Sequence, residues 1–185
     1  DNVKRFLKDH ALIDAHPNQI LRIMEMQRHA MLMYTSCGWF FDEISGIETI
    51  QVMQYASRVI QLANQIGQVD LEEEFSKRLE EAPSNVSTYQ QGANVYKSVV
   101  LPSRTNLQRV GMHYAVASIF EEEPEALTIF NYSTSNDFFI KKEAGEQKMS
   151  LGITKVKSMV TQSEKKFAFA VIYLGKHNII GNISL

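Results

Sequence analysis

The chain has 185 residues, enough for one domain or two small ones, and a chain of this size buries roughly 70% of its unfolded surface. Its 44% apolar and 22% charged content is that of a soluble globular protein, and a net charge of −2 without a basic block excludes nucleic acid as the expected partner. One Cys excludes an internal disulfide. The sequence holds no secretory signal and no membrane-length apolar run, so a cytoplasmic protein without membrane contact is expected.

Residues 3–15 read as a short first helix, with Val3, Phe6 and Leu7 on one face. Pro17 suits the first turn of the next helix, residues 18–35. There Ile20, Ile23, Met24, Gln27, Met31 and Tyr34 recur at helical spacing. Leu21, Met26, Ala30 and Met33 widen the apolar arc, so this helix is expected to be buried on most sides. Its methionines read as core filler. Glu25 stands three and four residues before Arg28 and His29, within ion-pair reach.

Residues 34–48 then break the pattern. They hold the only Trp, the only Cys, three consecutive aromatics and the adjacent carboxylates Asp42 and Glu43. Ser45-Gly46-Ile47-Glu48 reads as a capping box that opens a helix over 48–66. Its inward face is Ile50, Met53, Ala56, Val59, Ile60, Ala63 and Ile66, and Gly67 is the expected left-handed terminator. Asp70 is the expected cap of a helix that stops before Pro83, and its first-turn acids, Glu72 to Glu74, read as solvated. A weaker helix spans 86–100, with Gly92 inside it and Pro102 ending it. A second capping box, Thr105 to Gln108, starts a helix carrying Leu107, Val110, Tyr114, Ile119 and Phe120. That helix stops at Glu121-Glu122-Glu123-Pro124.

Beyond this point the period changes from helix to strand. Strands are expected over 127–132, 138–142, 149–159 and 167–174, with turns at Gly145, 161–165 and 175–178. In the third, Leu151, Ile153 and Val156 oppose Thr154, Lys155 and Lys157, with an irregularity near Gly152. Sequential strands with short links make an antiparallel meander. Helices first and strands after predict an α+β fold: a bundle of five or six helices over residues 1–124 and an antiparallel sheet over 125–185. The chain opens on Asp1 without Met and closes on Ile183-Ser184-Leu185 inside a strand pattern, so it is expected to be part of something longer.

The chemistry-bearing residues are few. Asp42 and Glu43 are neighbours and diverge on an extended backbone. A retaining glycosidase needs carboxyls about 5–5.5 Å apart across one bond, so they read as turn acids rather than a catalytic pair. Cys37 has no basic neighbour in sequence and reads as a small buried hydrophobe. The five histidines form no ligand set, and His29 and His113 read as hydrogen-bonded core or boundary residues. No metal or cofactor is expected, since no HExxH, CxxC or glycine-rich phosphate loop is present. Trp39 has two readings, a packed interface residue or an exposed face that stacks on a ligand.

The stretch Cys37-Gly38-Trp39-Phe40-Phe41-Asp42-Glu43-Ile44-Ser45-Gly46 resembles the helical domain of glycoside hydrolase family 57. Members carry there a segment of the kind Cys-x-x-Tyr-Trp-His-Gly-x-Phe-Gly-Gly running into a long helix. More closely, the run from Gln27-Arg28 through Tyr34 to Glu48, then Tyr55-Ala56, is similar to the C-terminal domain of amylase-like bacterial proteins of that family. His113-Tyr114-Ala115 and His177-Asn178 are similar too, so the likeness spans nearly the whole chain. It implies a retaining α-glucan hydrolase or glucanotransferase whose Glu nucleophile and Asp acid lie in an upstream barrel of the same polypeptide. This chain would be inert alone. Trp39 would stack on a glucose ring, with Phe40 and Asp42 as further contacts. Where better-known members carry His after the Trp, this chain has Phe40-Phe41-Asp42. A purely structural or assembly domain is the alternative, and an independent carbohydrate-binding module a third reading.

Overall fold

A computed structural model describes residues 2–11, 16–121 and 126–185. The fold is α+β, helices first and an antiparallel sheet after. It divides into two compact units, Asp1–Arg104 and Thr105–Leu185. The boundary falls before the last long helix, not at 124/125, because that helix packs on the sheet.

The first unit contains α1 (Asn2–His10), α2 (Pro17–Leu32), α3 (Cys37–Phe40), α4 (Ile47–Gly67), α5 (Glu72–Glu80), α6 (Gly92–Val95) and α7 (Leu101–Ser103). The expected continuation of α1 through residues 12–15 lies outside the described residues. The central rod is α4, which buries Met53, Ala56 and Ile60 of the predicted face, together with Ser57 and Leu62. Its N-cap is Gly46, with no side-chain cap, so the expected Ser45 capping box does not form. At its other end the left-handed residue is Gln68 (φ 54°), whose N–H reaches the Asn64 carbonyl; Gly67 is still helical. The 86–100 region is not one helix. Residues 86–91 turn, and Gly92 opens a helical run instead of interrupting it. A π-helical stretch, Tyr96–Val100, joins α6 to α7. Pro102 supplies no N–H to an α-helical turn and its ring crowds the carbonyl four residues back, which a wider turn before it relieves. Met53, Val95, Tyr96 and Val100 form the core here, against Ile44, Phe75 and Leu79.

Helix α2 packs along α4 but buries no residue fully. The sequence analysis expected burial on most sides. Instead Ile23, Met24, Gln27, Met31 and Tyr34 of the regularly spaced set face solvent, and Ile20, Leu21, Met26, Leu32 and Met33 are half-buried. Met24 and Met31 are therefore surface residues rather than core filler.

In the second unit α8 (Leu107–Ala117) lies on a five-stranded meander. The strands are β1 (Thr128–Ile129), β2 (Tyr132–Ala144), β3 (Gln147–Ser158), β4 (Glu164–Tyr173) and β5 (Ile179–Ser184), antiparallel and in sequence order. The single strand expected over 127–132 is a tight hairpin that turns at Phe130 (φ 51°). The end of α8's acidic stop, residues 122–124, lies outside the described residues. The cap of α8 is Asn106, whose Oδ1 accepts the Arg109 N–H at 2.8 Å, in place of the expected Thr105.

The face of β3 turned to α8 carries Ser150, Gly152, Thr154, Val156 and Ser158; Leu151 and Ile153 point the other way. Small residues on the sheet meet small residues on the helix, as where Ser118 Oγ donates to Ser150 Oγ at 3.3 Å. The large apolar contribution comes from Tyr114, Ile119, Phe167, Phe169 and Val171. The irregularity expected near Gly152 is a bulge at Asp137 on β2, between the pairs Asn136–Thr154 and Phe138–Ile153.

Candidate functional site

The candidate site is the bend between α2 and α4. Helix α2 unwinds through a tight turn in which the Tyr34 and Thr35 N–H groups bond Met31 and Leu32 carbonyls. One further turn, α3, carries Trp39 and Phe40. The Thr49 hydroxyl on α4 donates to the Gly38 carbonyl at 3.3 Å, and Gly38 leaves just enough room for Val52, whose Cγ2 a β-carbon there would meet at 2.9 Å. So α3 is seated by its small residue, and its large residues turn outward.

Trp39 is 74% exposed and Phe40 71%. Phe41 is exposed as well, its ring edge-on to Phe40 at 5.2 Å between centroids. Asp42 is exposed, while its carbonyl accepts from Asn85 Nδ2 at 3.1 Å. Trp39, Phe40 and Asp42 thus share one short segment open to solvent. Cys37 is exposed there too, not the buried hydrophobe expected.

Glu43 is the residue that sequence reasoning missed. It is not a solvated turn acid. Its carboxylate accepts the Ser84 hydroxyl at 2.7 Å, the Asn85 N–H at 2.6 Å and the Ser45 N–H at 2.8 Å. These bonds, the Ser84 hydroxyl foremost, hold its pKa down at about 2. The Ser45 N–H that a capping box would give to Glu48 is spent on Glu43. The effect is to pin the aromatic bend onto the 84–85 turn.

Elsewhere in the first unit one acid departs from expectation and another follows it. Glu72 is tied into a partly buried cluster: Tyr96 Oη donates to it at 2.6 Å, and Arg104 pairs with it at 2.6 Å while also reaching Tyr96 and Ser57. Glu25 pairs with Arg28 at 2.8 Å, a bond that lowers its pKa, and lies 3.4 Å from His29, as the spacing predicted. His29 Nδ1 lies 3.0 Å from the Glu25 carbonyl, whereas His113 is exposed. Glu73 and Glu74 pair with Lys77 and Arg78 at the surface.

A separate cleft of about 490 Å³ lies at the start of α2, lined by His16, Pro17, Asn18, Gln19, Arg22, Gln65 and Ile66. None of Trp39, Phe40 and Asp42 lines it. Among the described residues no three His, Cys, Asp or Glu side chains are placed to hold a metal ion, and no helix is long and apolar enough to cross a membrane. No curated protein and no solved structure matches the chain. Residues 1–185 match the family described as a domain of unknown function (DUF3536), and the chain belongs to that family.

Proposed function

We propose that this chain is an accessory domain of an α-glucan-active retaining glycoside hydrolase or glucanotransferase, lining a sugar cleft beside a catalytic barrel of the same polypeptide. The observation that carries this reading is the exposure of Trp39 on a bend that Glu43 holds in place. An indole face complements the C–H face of a glucose ring and sheds ordered water when it stacks. A platform of this kind works only if it is already in place before the sugar arrives. Phe40 beside it and Asp42, free to accept a hydroxyl proton, supply the rest of the contact. The reacting carboxylates belong to the barrel, so the chain alone is inert. A cytoplasmic location goes with this reading.

The test uses the indole itself, since Trp39 is the only Trp. Titrating the chain with maltoheptaose shifts and saturates its emission. Trp39→Ala abolishes calorimetric binding and leaves the melting temperature within a degree or so, as expected for a surface residue. An emission spectrum indifferent to the glucan overturns the reading. A structural or assembly role is the second reading, favoured by the apolar residues around the bend that a sugar does not need: Tyr34, Ile47 and Met31 are 80%, 78% and 67% exposed.

A further inference from the structure

At one end of the sheet in the second unit the usual sorting of side chains is reversed. Two turns meet there, Phe130-Asn131 between β1 and β2 and residues 159–163 between β3 and β4. They are joined where the Met159 N–H donates to the Asn131 carbonyl at 2.8 Å. Phe130 is 90% exposed and holds a φ of 51°, in the left-handed region that a bulky residue avoids. Its ring gives the fold no packing, and its backbone costs the fold strain. In the second turn the polar residues are inside and the apolar ones outside. Thr161 and Ser163 are buried, with the Thr161 hydroxyl donating to Ser163 Oγ at 3.0 Å and the Thr161 N–H to Ser158 Oγ at 3.2 Å. Met159 and Val160 are exposed. Behind these tips the strands carry cations. In register, Lys157 faces Glu164, Val156 faces Lys165 and Lys155 faces Lys166. Lys166 is held by Asp137 at 2.6 Å, whereas among the described residues Lys155, Lys157 and Lys165 enter no ion pair.

We infer that this end of the sheet rests on an anionic membrane surface. Phe130, Met159 and Val160 enter the boundary of the acyl chains, and Lys155, Lys157 and Lys165 lie at the level of the headgroups. The strained, exposed ring at Phe130 finds no return inside the chain, and the inside-out turn beside it calls for an apolar medium outside. Both sit on convex tips, which a fluid interior accommodates without a pocket shaped to receive them. The spacing of tips and cations suits a bilayer. At about 3.3 Å per residue Lys157 stands roughly 7 Å behind Met159 and Lys155 roughly 13 Å. Apolar groups of interfacial proteins enter the headgroup and acyl boundary by about 5–10 Å, which brings those ammonium groups among the lipid phosphates and carboxylates. The charge is complementary too, since the leaflet that faces the cytoplasm is the anionic one. A run long enough to span a bilayer, whose lack led to the expectation of no membrane contact, is not needed by such a surface. The inference goes beyond the glucan reading and uses none of Trp39, Phe40 and Asp42.

The test is flotation of the 185-residue chain with phosphatidylcholine vesicles made with and without phosphatidylserine. The chain floats with the phosphatidylserine vesicles, and the bound fraction falls as salt is raised. Phe130→Asn is the sharpest variant, because asparagine adopts the left-handed conformation readily. It weakens binding at least about tenfold, while its melting temperature equals or exceeds that of the wild type. Lys157→Gln with Lys165→Gln weakens binding about tenfold and flattens the salt dependence. A wild-type chain that ignores the anionic vesicles, as it would if a pocket on another protein were the occupant, overturns the inference. So does binding that survives Phe130→Asn, and so does a Phe130→Asn chain that melts well below the wild type, since the ring would then serve the fold.

Discussion

Glu43 accepts the Ser84 hydroxyl at 2.7 Å across 41 residues of sequence, and that bond joins the aromatic bend to the turn before α6. Ser84 Oγ in turn accepts the Val86 N–H at 3.1 Å, so the turn is organised around the same pair. The two segments are irregular, and each uses the other as its scaffold. A carboxylate is well suited to the task because it has acceptor sites for several donors at once.

Glu43→Gln is therefore expected to loosen Trp39 more than it lowers stability. The amide keeps one acceptor oxygen but turns a donor toward Ser84 or the Asn85 N–H. Steady-state anisotropy of Trp39 falls and its quenching by acrylamide rises, while the melting temperature drops modestly. The pH dependence is fixed in sign. The folded carboxyl titrates at about 2, against 4.5 for an unperturbed Glu. Its stabilising effect is complete above pH 4.5 and fades as pH falls toward 2. The melting gap between wild type and variant should close over that interval; a gap that is constant with pH would show that the charge is not what holds the bend.

Tyr96→Phe is expected to destabilise the first unit by about 1–2 kcal/mol, read from urea unfolding. The ring is fully buried and edge-on to Phe75, so its packing survives. What is lost is the hydroxyl between Glu72 and Arg104. Burial, followed by the bond to Glu72, pushes the phenol up to about 12 from 10.0. The hydroxyl's contribution is thus whole below pH 10 and lost as pH rises through about 12. Wild type and variant should converge in strong base.

The order of elements was legible from residue pattern, and so were most of the residues that share a face. Which side of a face is inward was not. On α2 the most regular apolar set is the exposed one, because the spacing of Met24, Met31 and Tyr34 reports a shared face and says nothing of what packs there. On β3 the same ambiguity reversed the expectation: Ser150 and Thr154 look polar in sequence, yet α8 presents Ala115 and Ser118 and needs small residues opposite. Trp39, Phe40, Asp42 and Glu43 all stood out by composition, and Phe40 and Asp42 entered as contacts through the family resemblance. The role of Glu43 was not legible, since its partners at 84 and 85 carry no local signal.

Asn106→Ala should cost about 1 kcal/mol by removing the acceptor of the Arg109 N–H. The loss should appear in the second unit, because α8 supplies Val110, Tyr114 and Ala115 to its core. Hydrogen exchange is the suitable readout, with faster exchange at the first turn of α8 and no change in α4.

Gly152→Ala and Gly181→Ala separate rigid from yielding neighbours on the same sheet. A β-carbon at Gly152 would meet the Phe138 carbonyl oxygen at 2.5 Å and the Phe169 ring at 3.2 Å. Phe138 pairs with Ile153 of β3 just past the bulge at Asp137, and the close atom is backbone, which has no side-chain torsion to swing it aside. At Gly181 the nearest atom is also at 2.5 Å, but it is the Met112 Cε, the far end of a flexible side chain. Overpacking against fixed backbone costs about 1–3 kcal/mol, while a thioether swings aside for less. Gly152→Ala should therefore lower the unfolding midpoint clearly and Gly181→Ala little. Equal losses at both sites would mean that crowding of side chains, not the close approach of β2 to β3, sets the requirement for glycine.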